Sequence, residues 1–196
     1  MLAQAPENAD PVSEEFWKLV AAQCKRDMRN ACPLGAMEET YKNELVIPTQ
    51  FLLNYLLHTL VGVFIFNDVA YFFSYGDGVF VINGEVTTLG PFKNNAPPYI
   101  AYELDPIGFP RSDLGFKIHR AIPVEELEWF VIGTDGCEDL FKVLQPEELV
   151  NNEVVFRNAD KVRRILWQHR EELSDDTTVV VGRYFTQEAS NAERLP

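Results

Sequence analysis

Between Thr59 and Leu89 four short β-prone segments follow one another, each closed by turn residues. Thr59–Phe66 ends at Asn67-Asp68, Val69–Tyr75 at Gly76-Asp77-Gly78, and Val79–Ile82 at Asn83-Gly84; Glu85–Leu89 completes the set. Asn-Gly is a strong hairpin signal, because a type I′ turn needs positive φ at both central residues. Asp77-Gly78 is a signal of the same kind. These turn signals predict a four-stranded antiparallel meander.

The helices are placed around that block. Ser13-Glu14-Glu15 is an N-cap with acids in the first turn, and predicts a helix to about Arg29 whose marked face is Phe16, Leu19, Val20 and Gln23. Pro33, Gly35 and the polar run to Asn43 read as a connection, with or without a short helical turn, and a second apolar segment begins near Thr49. Gly90 to Ser112 is proline-rich and reads as an excursion over the surface, extended at Ala96-Pro97-Pro98-Tyr99. Phe116–Ile122 is a further strand. Helices are expected over Glu138–Val143 and Ala159–Arg170, the latter with Val162, Ile165, Leu166 and His169 on one face. Thr177–Phe185 is a final strand. The chain reads as one domain over 1–196, with loose ends at about 1–11 and 187–196.

Glu128 to Leu140 joins these patterns. Its first half, through Trp129-Phe130-Val131-Ile132, reads as a strand buried on both faces. Its second half turns at Asp135-Gly136 and enters a helix. A carboxylate thus stands at the end of a buried strand, with Asp139 one helical turn on. Asp135 could instead cap that helix, with Glu138 completing a capping-box-like pair.

Composition narrows the partners. A formal net charge of −13 argues against a nucleic-acid surface, which needs clustered cations. No apolar run is long enough for a membrane span, since Phe51–Phe66 is interrupted by Asn54, His58 and Thr59. Cys24, Cys32 and Cys137 have no metal-finger spacing, and the odd count with no signal-peptide pattern suggests a reducing, cytoplasmic setting. His58, His119 and His169 have no motif partners and read as packing or surface residues. Cys137 reads as a small buried residue, and Arg111 and Arg120 as surface cations.

Three acidic points fall at strand ends or turns: Asp77, Asp135 with Asp139, and Asp175 with Asp176. Magnesium and manganese prefer oxygen ligands and keep several waters, so two or three aspartates at strand ends suit them. A pair of such ions can polarise a phosphoryl group and lower the pKa of a shared water.

The ordered set resembles the metal-dependent protein phosphatase 2C family. Gly76-Asp77-Gly78 matches its Gly-Asp-Ser/Gly turn, and Thr134-Asp135-Gly136-Cys137-Glu138-Asp139 matches its Ser-Asp-Gly-x-x-Asp. Asp175-Asp176-Thr177-Thr178 before Val179-Val180-Val181 matches its Asp-Asn-x-Thr and closing strand. Thr134 and Asp176 depart from the pattern by one residue each. The resemblance covers roughly Thr59 to Tyr184. It implies an α+β fold, a phosphatase-2C-like sandwich of antiparallel β-sheets flanked by α-helices. It implies metal-dependent hydrolysis of phosphoserine or phosphothreonine in phosphoprotein substrates, by a metal-activated water and with no covalent enzyme intermediate. Asp135 and Asp175 would be ligands of two Mg2+ or Mn2+ ions, Asp139 would help hold a third, and Asp77, Gly78 and Gly136 would shape the adjacent turns.

The N-terminus departs from the family. Its first two strands, which supply an Asp-Gly motif and the metal-bridging aspartate, have no counterpart before Ser13. The chain is therefore expected to be a fragment or a short form, N-terminally incomplete. The alternative function is a pseudophosphatase or regulatory binding module that keeps the fold without turnover.

Overall fold

The computed structural model describes residues 10–32, 38–40, 44–105, 109, 112–150, 160–173 and 175–184. These fall into two compact units: one within Met1–Leu60, Phe73–Gly76 and Phe92–Ile118, the other within Val61–Phe72, Asp77–Pro91 and His119–Pro196. Arg111 and most of both expected loose ends lie outside the described residues.

In the first unit, Ser13 starts helix α1 (Glu14–Ala31), its hydroxyl accepting the Phe16 N–H at 3.2 Å. The face it buries differs from the expected one. Trp17, Ala21 and Met28 are buried, whereas Leu19 is 52% exposed. Trp17 decides this orientation. Its ring lies 4.8 Å from both Phe73 and Phe116, and its indole N–H donates to the Pro11 carbonyl at 2.9 Å. A large aromatic body with a satisfied polar tip outweighs an aliphatic stripe.

The expected connection after Pro33 contains two short strands, β1 (Glu38–Thr40) and β2 (Glu44–Val46), paired antiparallel from Glu38↔Val46 to Thr40↔Glu44. Helix α2 (Thr49–Tyr55) follows and buries Leu52. The segment expected to run over the surface after Gly90 does so only in part. Tyr99 is extended as expected, but Ala96 is not, Pro97 and Pro98 are buried, and Ile100–Leu104 forms a 3-10 helix. Ile100, Ala101 and Tyr102 then join Met28, Cys32, Ile47, Leu52 and Tyr75 in one core. The apolar triplet after the prolines supplies volume that this unit needs.

The meander is divided between two sheets. β3 (Leu60–Phe66), β4 (Val69–Tyr75) and β7 (Lys117–Pro123) form one, in the order β3-β4-β7. β5 (Gly78–Ile82), β6 (Glu85–Leu89), β8 (Trp129–Gly133) and β9 (Val179–Arg183) form the other, antiparallel and ordered β6-β5-β8-β9. Asn83-Gly84 is the expected hairpin, with φ of 49° and 91°. Gly76-Asp77-Gly78 is not. Both glycines have positive φ, 106° and 141°, but Asp77 does not, and the chain changes sheet here instead of folding back. A Cβ on Gly78 would lie 2.8 Å from the Gly133 carbonyl, so close approach to β8 also requires glycine.

Within the second unit, β5 is buried along its whole length and its residues alternate between two cores. Phe80 and Ile82 pack with Ala70, Phe72, Leu89, Val124, Leu127 and Ile132. Val79 and Val81 pack on the opposite face with Val131, Cys137, Leu140, Leu144, Leu149 and Val150. Helices α3 (Cys137–Val143) and α4 (Asp160–Gln168) contribute to that second core, α4 through Val162, Ile165 and Leu166 as expected. A strand covered on both faces has no use for polar alternation, which explains the continuous apolar runs of β5 and β8. The architecture is α+β. Among the described residues no helix is long and apolar enough to cross a membrane.

Candidate functional site

Asn83 anchors the start of β8. Its side-chain oxygen accepts the N–H groups of Glu128 and Trp129 at 2.9 and 3.2 Å, and its amide donates to the Glu126 carbonyl at 2.7 Å. β8 then runs through the centre of the four-stranded sheet, between β5 and β9, and ends at Gly133. Thr134 and Asp135 follow at the strand's end, half-buried.

The turn is held from both sides. Asp135 carbonyl accepts the Glu138 N–H at 2.8 Å, and its carboxylate accepts the Gly136 N–H at 3.0 Å. The helix N-cap is Gly136, with no side-chain cap, so the capping-box reading of Asp135 and Glu138 is not realised. Thr134 reaches the other motif segment. Its backbone N–H donates to the Thr178 carbonyl at 3.1 Å, and its hydroxyl accepts the Thr178 N–H at 3.0 Å while donating to the Asp176 carbonyl at 3.2 Å. Gly136 lies so close to this segment that a Cβ would collide with Thr177 Oγ1 and sit 3.1 Å from the carbonyls of Asp175 and Asp176.

The Asp135 turn and the Asp175–Thr178 segment are thus brought together, though 42 residues separate Thr134 from Asp176. Asp175 is exposed, and its carboxylate accepts the Asp176 N–H at 2.7 Å. Asp139 is engaged by the Lys142 ammonium at 2.6 Å, the i,i+3 neighbour on α3. Asp77, the residue before β5, is half-buried.

Glu138 reports the local field. Burial pushes its carboxyl above the ordinary range, and Asp135 adds to this; Lys142 opposes it, while Asp139 and Asp77 raise it further. Four carboxylates thus share this neighbourhood with one ammonium group. Cys137 is fully buried, and burial with the nearby Asp135 charge pushes its thiol up to about 12. It is the small buried residue expected from the sequence.

The donors are hard oxygens, which suits magnesium or manganese, and the surplus of negative charge is what a divalent cation relieves. Among the described residues, however, no three His, Cys, Asp or Glu side chains are grouped to hold a metal ion. Oxygen donors of this kind would suit, at most, a hydrated cation held by few protein ligands. Sequence reasoning missed Glu138 as a carboxyl pushed up by burial and by the charges around it, and Lys142 as the counter-charge of Asp139. The i,i+3 spacing of Asp139 and Lys142 is a legible signal for the second.

No family model matches this chain, and neither a curated protein nor a solved structure matches it.

Proposed function

We propose that this chain is a metal-dependent phosphoprotein phosphatase domain of the phosphatase 2C type, acting on phosphoserine or phosphothreonine. The observation that supports this most is the pairing of the Thr134–Asp139 turn with the Asp175–Thr178 segment through Thr134 and Gly136. Two motifs far apart in sequence meet, and both carry carboxylates. Asp135 and Asp175 are the residues proposed to hold two Mg2+ or Mn2+ ions, with Asp139 at a third. Bound divalent ions supply Lewis-acid polarisation of the phosphoryl oxygens and a more acidic water. The chain's own part is to fix the ligands: β8 aims Asp135, the Gly136 N–H orients its carboxylate, and Thr134 holds the Asp175 segment beside it. The free thiols Cys24, Cys32 and Cys137 accord with a reducing compartment such as the cytoplasm.

A second reading, a pseudophosphatase or regulatory binding module, is favoured by the ion pair that engages Asp139. Manganese-dependent hydrolysis of an aryl phosphate, lost in Asp135→Asn, is the result expected of the enzyme. Manganese binding by calorimetry without turnover favours the regulatory module. No binding at all, with the fold intact, removes the metal reading for this chain.

A further inference from the structure

Helix α4 presents a solvent face that its packing does not use. Val162, Ile165, Leu166 and His169 are half-buried, and the three apolar side chains pack into the core beneath the four-stranded sheet. At 100° per residue the opposite side places Arg163, Trp167 and Arg164 within an arc of about 100°, and Arg170, in the turn that follows the helix, reaches back to Trp167. Trp167 is 68% exposed, the largest side chain among the exposed apolar residues described. The Arg170 guanidinium lies over its ring at 4.8 Å, and donates to the Trp167 carbonyl at 3.2 Å. Arg163 and Arg164 are exposed and enter no hydrogen bond or ion pair among the described residues.

This arrangement is unusual for the chain. Its formal net charge is −13, yet Lys161, Arg163, Arg164 and Arg170 are four of its 17 lysines and arginines. A local cluster of cations around an exposed indole is where charge and apolar contact can act together, and Trp and Arg are the residue types that dominate binding energy at interfaces. We infer that the surface formed by Arg163, Arg164 and Trp167 of α4 with Arg170 of the following turn docks a short acidic peptide segment of a partner protein, with carboxylates on the two unpaired arginines and an apolar side chain on Trp167. The chemistry selects a short ligand. A nucleic-acid duplex or an anionic membrane extends beyond one helix face and would meet the acidic remainder of the protein, whereas a peptide of a few carboxylates confines its charge to the patch. These residues lie outside the Asp135 turn, so docking here requires neither a metal ion nor turnover.

The test uses a fluorescein-labelled peptide of Asp and Glu residues with one central Phe, titrated with the full chain at low salt and followed by anisotropy. Binding that weakens as salt rises is expected, with little binding of an Asn and Gln version. Arg163→Glu with Arg164→Glu, and separately Trp167→Ala, should each weaken binding by about tenfold or more. Trp167→Phe should retain part of it. Lys18→Glu, which alters an exposed cation paired with Glu14 on α1, should leave it unchanged. All the altered side chains are exposed, and circular dichroism checks that each variant folds. The inference is overturned if the peptide does not bind, or binds these α4 variants as tightly as the parent chain. It is also overturned if an oligonucleotide or anionic vesicles bind this face more tightly than the peptide. Sedimentation showing self-association that the same substitutions abolish would make the face a contact between copies, and would overturn it too.

Discussion

The Thr134 hydroxyl accepts the Thr178 N–H at 3.0 Å and donates to the Asp176 carbonyl at 3.2 Å, so one side chain closes the loop before β9 onto the end of β8. Thr134→Val keeps the shape but removes both bonds, leaving a backbone donor and an acceptor to find water. A loss of about 1–2 kcal/mol is expected in urea denaturation, with Thr134→Ser close to the parent. If the metal reading holds, manganese affinity falls with it, because the Asp175 segment is no longer held beside Asp135. A Thr134→Val protein as stable as the parent would mean that this contact does not tie the two segments.

Gly136 supplies the space for the same approach. Its φ of −54° is ordinary, so an alanine there suffers no backbone strain, only the collision with Thr177 Oγ1 and the crowding of two carbonyls. Gly136→Ala should therefore cost about 1–3 kcal/mol by overpacking. Gly136→Ala combined with Thr177→Ala should recover part of the loss, since the nearest obstacle is a side chain. Thermal melts of the single and double variants check this, and a double variant no more stable than Gly136→Ala would place the strain in the backbone.

Tyr75 links pH to stability in the first unit. Its phenol donates to Glu103 at 2.5 Å, and Lys25 reaches the other Glu103 oxygen at 2.5 Å. Burial first, and then the bond to Glu103, hold the Tyr75 proton well above the ordinary tyrosine range. The folded state binds this proton more tightly than the unfolded chain does. Its stabilising contribution is full below the unfolded value of about 10, and declines as pH rises beyond it. The stability difference between the parent chain and Tyr75→Phe should shrink between about pH 9.5 and pH 11. A constant difference across that range would show that the phenol does not titrate with unfolding.

Cys137 should resist alkylation in the folded protein. It is fully buried, its Sγ lies 3.5 Å from the Thr178 carbonyl, and its thiol is pushed up to about 12, so little thiolate forms near neutral pH. With iodoacetamide at about pH 8, half-buried Cys24 should label before Cys137, as read by peptide mass spectrometry. Early labelling of Cys137 would mean that the turn at the end of β8 opens far more readily than its contacts imply.

Local chemistry made much of the fold legible. The Asn83-Gly84 hairpin, the Ser13 cap and β8 follow from turn propensities, capping and apolar runs, which act over a few residues. The partition of the meander was not legible. Gly76-Asp77-Gly78 has the composition of a hairpin turn, and whether it folds back or passes to another sheet depends on what β5 finds beside it. β5 pairs with β6 and β8, and β8 comes from far along the chain. The buried side of α1 was misread for the same reason, because the partners of Trp17, Phe73 and Phe116, lie outside the helix's own sequence.

The candidate site divides along the same line. The amino-acid sequence determined that Asp135 follows a buried strand and that Asp139 stands one helical turn on, since strand and helix periodicity are properties of the local chain. Only the tertiary structure decided that the Asp175 segment lies against Gly136 and that Glu138 feels the charge of Asp77. Long-range contacts of this kind depend on which strands pair and on how closely two backbones approach, and no local propensity carries that information.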